Sequence, residues 1–264
     1  MLQSHAVPQK HQQKLRALVG DLCIQGAYRF DKTVDRSDTC SRVIGMNWSF
    51  QGTVVLPIPN GADSYVHTVH LTITDTFPGF SYTTINTNKN FPGYLHVDSR
   101  NVGPSVMITI GEGVTGGELW YDGRKVPTLG RAVLFDGNLP HMTLPYTGTR
   151  YSIVCYTFKA WVSKRCLLSQ LRVMGFPTRQ LLYWQKERKK YIGTGKKRIK
   201  DARTKAIQQM ACGEIPLSQQ RLLVKPFSAL TIRRHEGRAP YPNGEFKKKK
   251  HGTSTITPRY PPGE

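Results

Sequence analysis

The sequence predicts a mainly β chain, a sandwich or barrel of the jelly-roll kind, with flanking helices and a basic C-terminal appendage. Three observations carry this. From Thr53 to Phe158, short runs rich in Val, Ile, Thr and aromatic residues recur at intervals of roughly ten residues, with Gly and Pro turns between them. After Phe158 the apolar period becomes helical. The charge changes too: residues 1–160 hold 14 Lys and Arg against 11 Asp and Glu, and residues 161–264 hold the other 24 against 6, of a net +21.

Taken in order, residues 8–19 favour a short polar surface helix opened by Pro8 and ended by Gly20. From Gly26 to Ser49 the chain is poor in apolar clusters, and loops with one strand at most are expected. Thr53–Ile58 and Tyr65–Ile73 read as a hairpin joined at Pro59-Asn60-Gly61, with His67 and His70 as structural or surface residues. Thr83–Leu95 reads as a strand that ends in a loop at Pro92-Gly93. Further strands are expected over 105–110, 118–121, up to Val126, over 131–135 and over 150–158.

Beyond them, Trp161–Val173 and Leu181–Tyr191 carry helical stripes on either side of Gly175-Phe176-Pro177. Residues 186–205 hold ten basic side chains against Glu187 and Asp201. This density suits a phosphate-binding stripe or a nuclear import signal. Residues 237–264 are rich in Pro and Gly, include Lys247–Lys250, and read as a disordered basic tail. The expected organisation is a β domain over 1–160, a basic helical extension over 161–236 and a tail over 237–264.

Candidate chemistry gathers between Leu95 and Tyr156. On a strand, His96 and Asp98 would project from one face. His141 follows after Val- and Ile-rich segments and Gly turns, enough chain to cross a sheet and return. Two imidazoles and a carboxylate on one face of an iron leave three positions for co-substrate and oxygen. Arg150 and Ser152 are also two apart in an apolar run, so guanidinium and hydroxyl would share a face and grip the far carboxylate of a 2-oxo acid.

His-x-Asp, a distant His and then Arg-x-Ser resembles the double-stranded β-helix core of the 2-oxoglutarate and Fe(II)-dependent dioxygenases. Gly116-Gly117-Glu118-Leu119-Trp120 and Phe135-Asp136-Gly137 are similar to that family's segments between the ligands. Asn88-Lys89-Asn90 and His96-Val97-Asp98-Ser99-Arg100-Asn101 most resemble the TET and JBP branch, which oxidises methylated pyrimidines in DNA. The resemblance implies Fe(II) held by His96, Asp98 and His141, 2-oxoglutarate bound by Arg150 and Ser152, and a base contact from Asn101. It lacks the Cys-rich zinc-binding region that animal members of the branch carry before the core.

The function expected is therefore C–H oxidation, on a methylated nucleic-acid base. A protein or small-molecule hydroxylase of the same superfamily and an inactive nucleic-acid-binding relic stay as alternatives, because the core fold does not choose a substrate. The basic half points to a polyanionic partner, with DNA first. Five scattered Cys without a Cys-x-x-Cys pair indicate neither a disulfide framework nor a zinc site, and imply a reducing, intracellular compartment, with the nucleus expected. The N-terminus lacks an apolar leader, and no apolar run of about 18 residues occurs, so no membrane span is expected.

Overall fold

The computed structural model describes residues 2–24, 39–49, 52–91, 93, 95–98, 100–159, 165–178 and 181. The chain divides into two units, Met1–Val224 and Lys225–Glu264, and every described residue lies in the first. The basic run 186–205, the helix expected over 181–191 beyond its first residue, and the tail lie outside the described residues.

In chain order the elements are β1 (Leu2–Ala6), α1 (Gln9–Ile24), β2 (Cys40–Ser49), β3 (Gly52–Leu56), α2 (Asp63–Thr76), β4 (Thr84–Lys89) and β5 (Ser105–Gly116). There follow β6 (Leu119–Tyr121), β7 (Arg124–Val126), β8 (Arg131–Phe135), β9 (His141–Thr143), β10 (Tyr146–Tyr156) and α3 (Leu168–Val173). A seven-stranded sheet takes the order β1-β8-β5-β10-β4-β2-β3 and a three-stranded sheet the order β7-β6-β9. All pairings within them are antiparallel. This is the jelly-roll, double-stranded β-helix architecture the strand pattern predicts.

Alternation along the strands separates two cores. Ile85 on β4, Val106, Ile108 and Ile110 on β5, Ala132 and Leu134 on β8, and Ile153 and Cys155 on β10 face the helices. They pack with Leu15, Val19 and Leu22 of α1 and Tyr65, Val66, Val69 and Ile73 of α2. The opposite face turns Met107, Val133 and Phe135 toward Leu119, Tyr121 and Val126 of the small sheet. Ile153 is fully buried, so Ile153→Ala loses apolar transfer and leaves a cavity at the centre of the helix-facing core. Urea unfolding should show a loss of about 2–5 kcal/mol.

Two expectations about helices change. The run Tyr65–Ile73, expected as a strand, belongs to α2. Its β-branched residues suit either structure, but Tyr65, Val66, Val69 and Ile73 form a helical stripe buried on the sheet. The buried threonines satisfy their hydroxyls within the helix: Thr68 donates to Ser64 O (2.6 Å), Thr72 to Thr68 O (2.8 Å) and Thr76 to Thr72 O (2.7 Å). The helix expected over 8–19 runs to Ile24 and is not a surface appendage. One face of it is core, and His11 Nε2 lies 2.7 Å from Asp75 Oδ2 on α2.

His67 is exposed, whereas His70 Nδ1 shares a hydrogen bond with Tyr82 OH (2.5 Å). Both are structural or surface residues, as expected. β1 was not expected; five residues with His and Ser among them give little periodicity to read. Leu171 of α3, Phe176 and Leu181 join the helix-facing core. Phe176 closes over β2 at Gly45, where φ is +90° and a Cβ would come within 2.4 Å of Thr83 O, so no side chain fits.

Candidate metal and co-acid site

His96 is brought to His141 by a single antiparallel bridge, with His96 N donating to His141 O and His141 N to His96 O, both at 3.0 Å. The expected strand around His96 is reduced to this bridge among the described residues. Asp98 is placed separately: its N–H donates to Gly137 O at 2.7 Å. Any side chain at position 137 would meet Asp98 Oδ2 at 3.0 Å and Ser105 Oγ at 3.1 Å, so glycine leaves space for the carboxylate.

The result is a cluster in which one donor atom from each of His96, Asp98 and His141 lies within 4.8 Å of the others. His96 Nε2 is 3.6 Å from Asp98 Oδ1, and His141 Nε2 is 3.8 Å from Asp98 Oδ2. Both distances are too long for hydrogen bonds. They suit donors turned to a common cation, since metal bonds of about 2 Å set neighbouring ligand atoms roughly 3 Å apart.

The imidazoles are prepared as ligands. His141 Nδ1 donates to Leu139 O at 2.8 Å, which leaves the Nε2 lone pair facing Asp98. Burial, and next the neighbouring His96, push the His141 pKa down to about 4, so the ring is neutral at pH 7. Phe135 meets it edge to face at 5.1 Å. His141 is buried while the His96 side chain keeps 38% of its surface, so the cluster has a closed side and an open one.

Asn101 is 7% exposed, and its Nδ2 donates to Asp98 Oδ2 at 3.0 Å. The amide expected to meet a substrate base gives one N–H to the carboxylate. Asn101→Ala should weaken Fe(II) binding by roughly 10- to 100-fold, the usual cost of removing a group that orients a ligand. Anaerobic calorimetric titration of the full chain would measure it.

Arg150 and Ser152 share the inner face of β10, as their spacing predicts, and both are buried. Arg150 Nη2 donates to Thr109 Oγ1 on β5 at 3.3 Å, and Arg150 Nε has no partner. Gly117 permits the close packing: a Cβ there would lie 3.1 Å from Arg150 Nε. Among the described residues no carboxylate pairs with this guanidinium. Burial pushes its pKa down to about 10, which leaves it charged at neutral pH. A buried cation without a counter-charge is costly, and an anionic ligand relieves that cost.

The donor chemistry fits Fe(II), and the Arg150 guanidinium, over the Tyr146 ring and beside Ser152 and Thr109 with its Nε unpaired, fits the distal carboxylate of a 2-oxo acid. Thr109 was not read from sequence, since it reaches Arg150 only through the β5–β10 pairing. Asn90, noted in the sequence only as part of Asn88-Lys89-Asn90, accepts Arg150 N–H at Oδ1 (2.8 Å) from a backbone with φ of +46°.

No family model matches the sequence, and no curated protein matches it. Solved structures do. A prolyl hydroxylase from Trichoplax adhaerens, in complex with a hypoxia inducible factor oxygen degradation domain peptide, is 14% identical with a TM-score of 0.43, over 60% of this chain and 83% of that one. An oxidoreductase of the 2OG-Fe(II) oxygenase family from Burkholderia pseudomallei is 16% identical with a TM-score of 0.39, over 59% and 84%. A TET protein in complex with 5mC DNA is 15% identical with a TM-score of 0.40, over 60% and 72%. At scores below 0.5 none of these names assigns a reaction or a substrate to this chain.

Proposed function

We propose that the chain is an Fe(II)- and 2-oxoglutarate-dependent dioxygenase that oxidises a C–H bond on a nucleic-acid base. The observation that carries the reading is the buried Arg150, with an unpaired Nε and no carboxylate partner among the described residues, on the inner face of the same β core that assembles His96, Asp98 and His141. His96 and His141 supply imidazole nitrogens and Asp98 a carboxylate. Fe(II) and 2-oxoglutarate, when bound, would couple dioxygen to the oxidation: one oxygen atom would enter succinate as 2-oxoglutarate loses carbon dioxide, and the other would enter the oxidised substrate carbon as a hydroxyl.

Each residue then has a stated task. Leu139 O holds the His141 tautomer, and the Asn101 amide holds Asp98 Oδ2. Asn101 is read as a positioning residue and not as the base contact. Arg150 grips the distal carboxylate with Ser152 and Thr109 beside it. Met107, Val133, Phe135 and Leu119 keep water from the interior between the sheets, where a charge pair is stronger than at the surface.

The base as substrate is supported by charge. The net +21 falls mostly after residue 160, +18 there against +3 before it, and a strongly basic segment joined in sequence to a nearly neutral catalytic domain favours a polyanionic partner. The methylated pyrimidine and the nuclear location are the specific forms of this reading. The test is succinate formation from 2-oxoglutarate by the iron-loaded full chain, with and without methylated DNA, with His96→Ala as blank. Succinate that rises with DNA is the expected result. Succinate that rises only with peptide or small-molecule substrates would move the substrate assignment, and none under any condition would overturn the oxygenase.

A further inference from the structure

The register of β2 carries its end past β4. Its pairing with β4 ends at Gly45 opposite Thr84, whereas its pairing with β3 runs from Gly45 to Ser49. Met46 is still tied to the start of β4, its N–H donating to Thr83 O at 2.8 Å and its O accepting from Thr84 Oγ1 at 2.6 Å, so residues 47–49 and their partners on β3 form a two-stranded edge of the large sheet past β4. The same end of the sheet carries the metal-ligand loop, since Asn101 bridges Phe158 just after β10, and Phe158 N donates to Thr83 Oγ1.

Trp48 sits on this edge with half its surface exposed, the one exposed large aromatic side chain among the described residues. A single exposed apolar residue is ordinary. This one is held by the site: the Arg100 guanidinium carbon lies 4.9 Å from the indole centroid. Arg100 is two residues from Asp98, at most about 7 Å of chain. A cation against one face of an indole fixes the ring, and the other face keeps its affinity for a planar π system.

We propose that Trp48, backed by Arg100, is the platform on which the nucleotide next to the target base stacks, in a strand that is unpaired at that point. The proposal rests on the reading of the site as a nucleic-acid oxygenase, and it adds the recognition device that reading lacks. Through Arg100 the indole is joined to the segment that carries Asp98, and there it would meet the target's neighbour. An enzyme that takes a base out of the stack leaves that neighbour without a partner, and an aromatic plane replaces the lost stacking. Arg100, exposed at the rim, also offers charge to the phosphate between the two nucleotides.

The test compares full-length wild type, Trp48→Ala and Trp48→Phe for binding of a fluorescein-labelled single-stranded oligothymidine by anisotropy. A series of salt concentrations separates stacking from the charge of the basic segment. Trp48→Ala should bind roughly tenfold more weakly, Trp48→Phe should recover most of the loss, and the salt slope should not change, because no phosphate contact is removed. Equal binding by wild type and Trp48→Ala, or no recovery by Trp48→Phe, overturns the platform. Fe(II) titration of Trp48→Ala guards against a collapsed site. Wild-type protein that binds the strand through Trp48 but never forms succinate would overturn the oxygenase reading instead, so the two failures are distinct.

Discussion

His141→Ala is expected to lose Fe(II) binding by well over about 100-fold and to form succinate no faster than protein without iron, because removing a ligand costs more than the roughly 10- to 100-fold lost with an orienting partner. The choice of His141 follows from its surroundings. It is the buried member of the cluster, its Nδ1–H is tied to Leu139 O, and burial keeps it neutral. No neighbouring side chain among the described residues offers a replacement donor to the cluster. Anaerobic titration with Fe(II) reads the loss without turnover, and a thermal melt shows whether the fold survives. A variant that still takes up one iron with wild-type affinity would sink the assignment of the cluster as the metal site.

How much of this was legible depends on what each residue needed in order to meet its partner. His96 and Asp98 could be joined on paper by strand alternation, and they do meet, although the strand itself shrinks to one bridge. Backbone bonds to His141 and Gly137 do the placing that an extended strand was expected to do. Arg150 and Ser152 lie on a true strand, so the two-residue period was sufficient there.

What failed was information that lives in register or in helix packing. Thr109 lies opposite Ser152 only because β5 and β10 pair with a particular offset, and a shift by one residue would turn its hydroxyl away. Tyr65–Ile73 looked like a strand because its Thr and Val residues are β-branched; the hydroxyl back-bonds that make them comfortable in a buried helix have no sequence signature. Asn101 was expected from the resemblance as a base contact, and it lies in a turn, with its N–H on Asp98 O at 3.1 Å. That turn is what folds its amide back onto the carboxylate. Trp48 lay in a stretch expected to hold loops and one strand at most; the strand is present as β2, but its run past β4, which displays Trp48, was not foreseen.

Arg150→Met should separate stability from function in opposite directions. The methionine keeps an unbranched, apolar stem in place of a buried guanidinium whose Nε has no partner and whose Nη2 donates to Thr109. Removing a buried charge with no carboxylate partner among the described residues should leave the unliganded protein as stable as wild type or more so, since replacing buried ionic groups by apolar ones of similar volume is often neutral or stabilising. The same change removes the cation offered to the co-acid. Hydrogen bonds to charged groups are worth about 1.5–3 kcal/mol, so the KM for 2-oxoglutarate should rise roughly 10- to 100-fold. Because a ligand stabilises only the state that binds it, wild-type protein should melt at a higher temperature as 2-oxoglutarate is added, and Arg150→Met should not. Arg150→Lys is the discriminating control: it restores the charge but not the planar fork, and should recover part of the affinity and not all of it. An Arg150→Met protein that melts lower than wild type without ligand, yet responds to 2-oxoglutarate as wild type does, would assign the guanidinium to the fold and leave the co-acid to be held elsewhere.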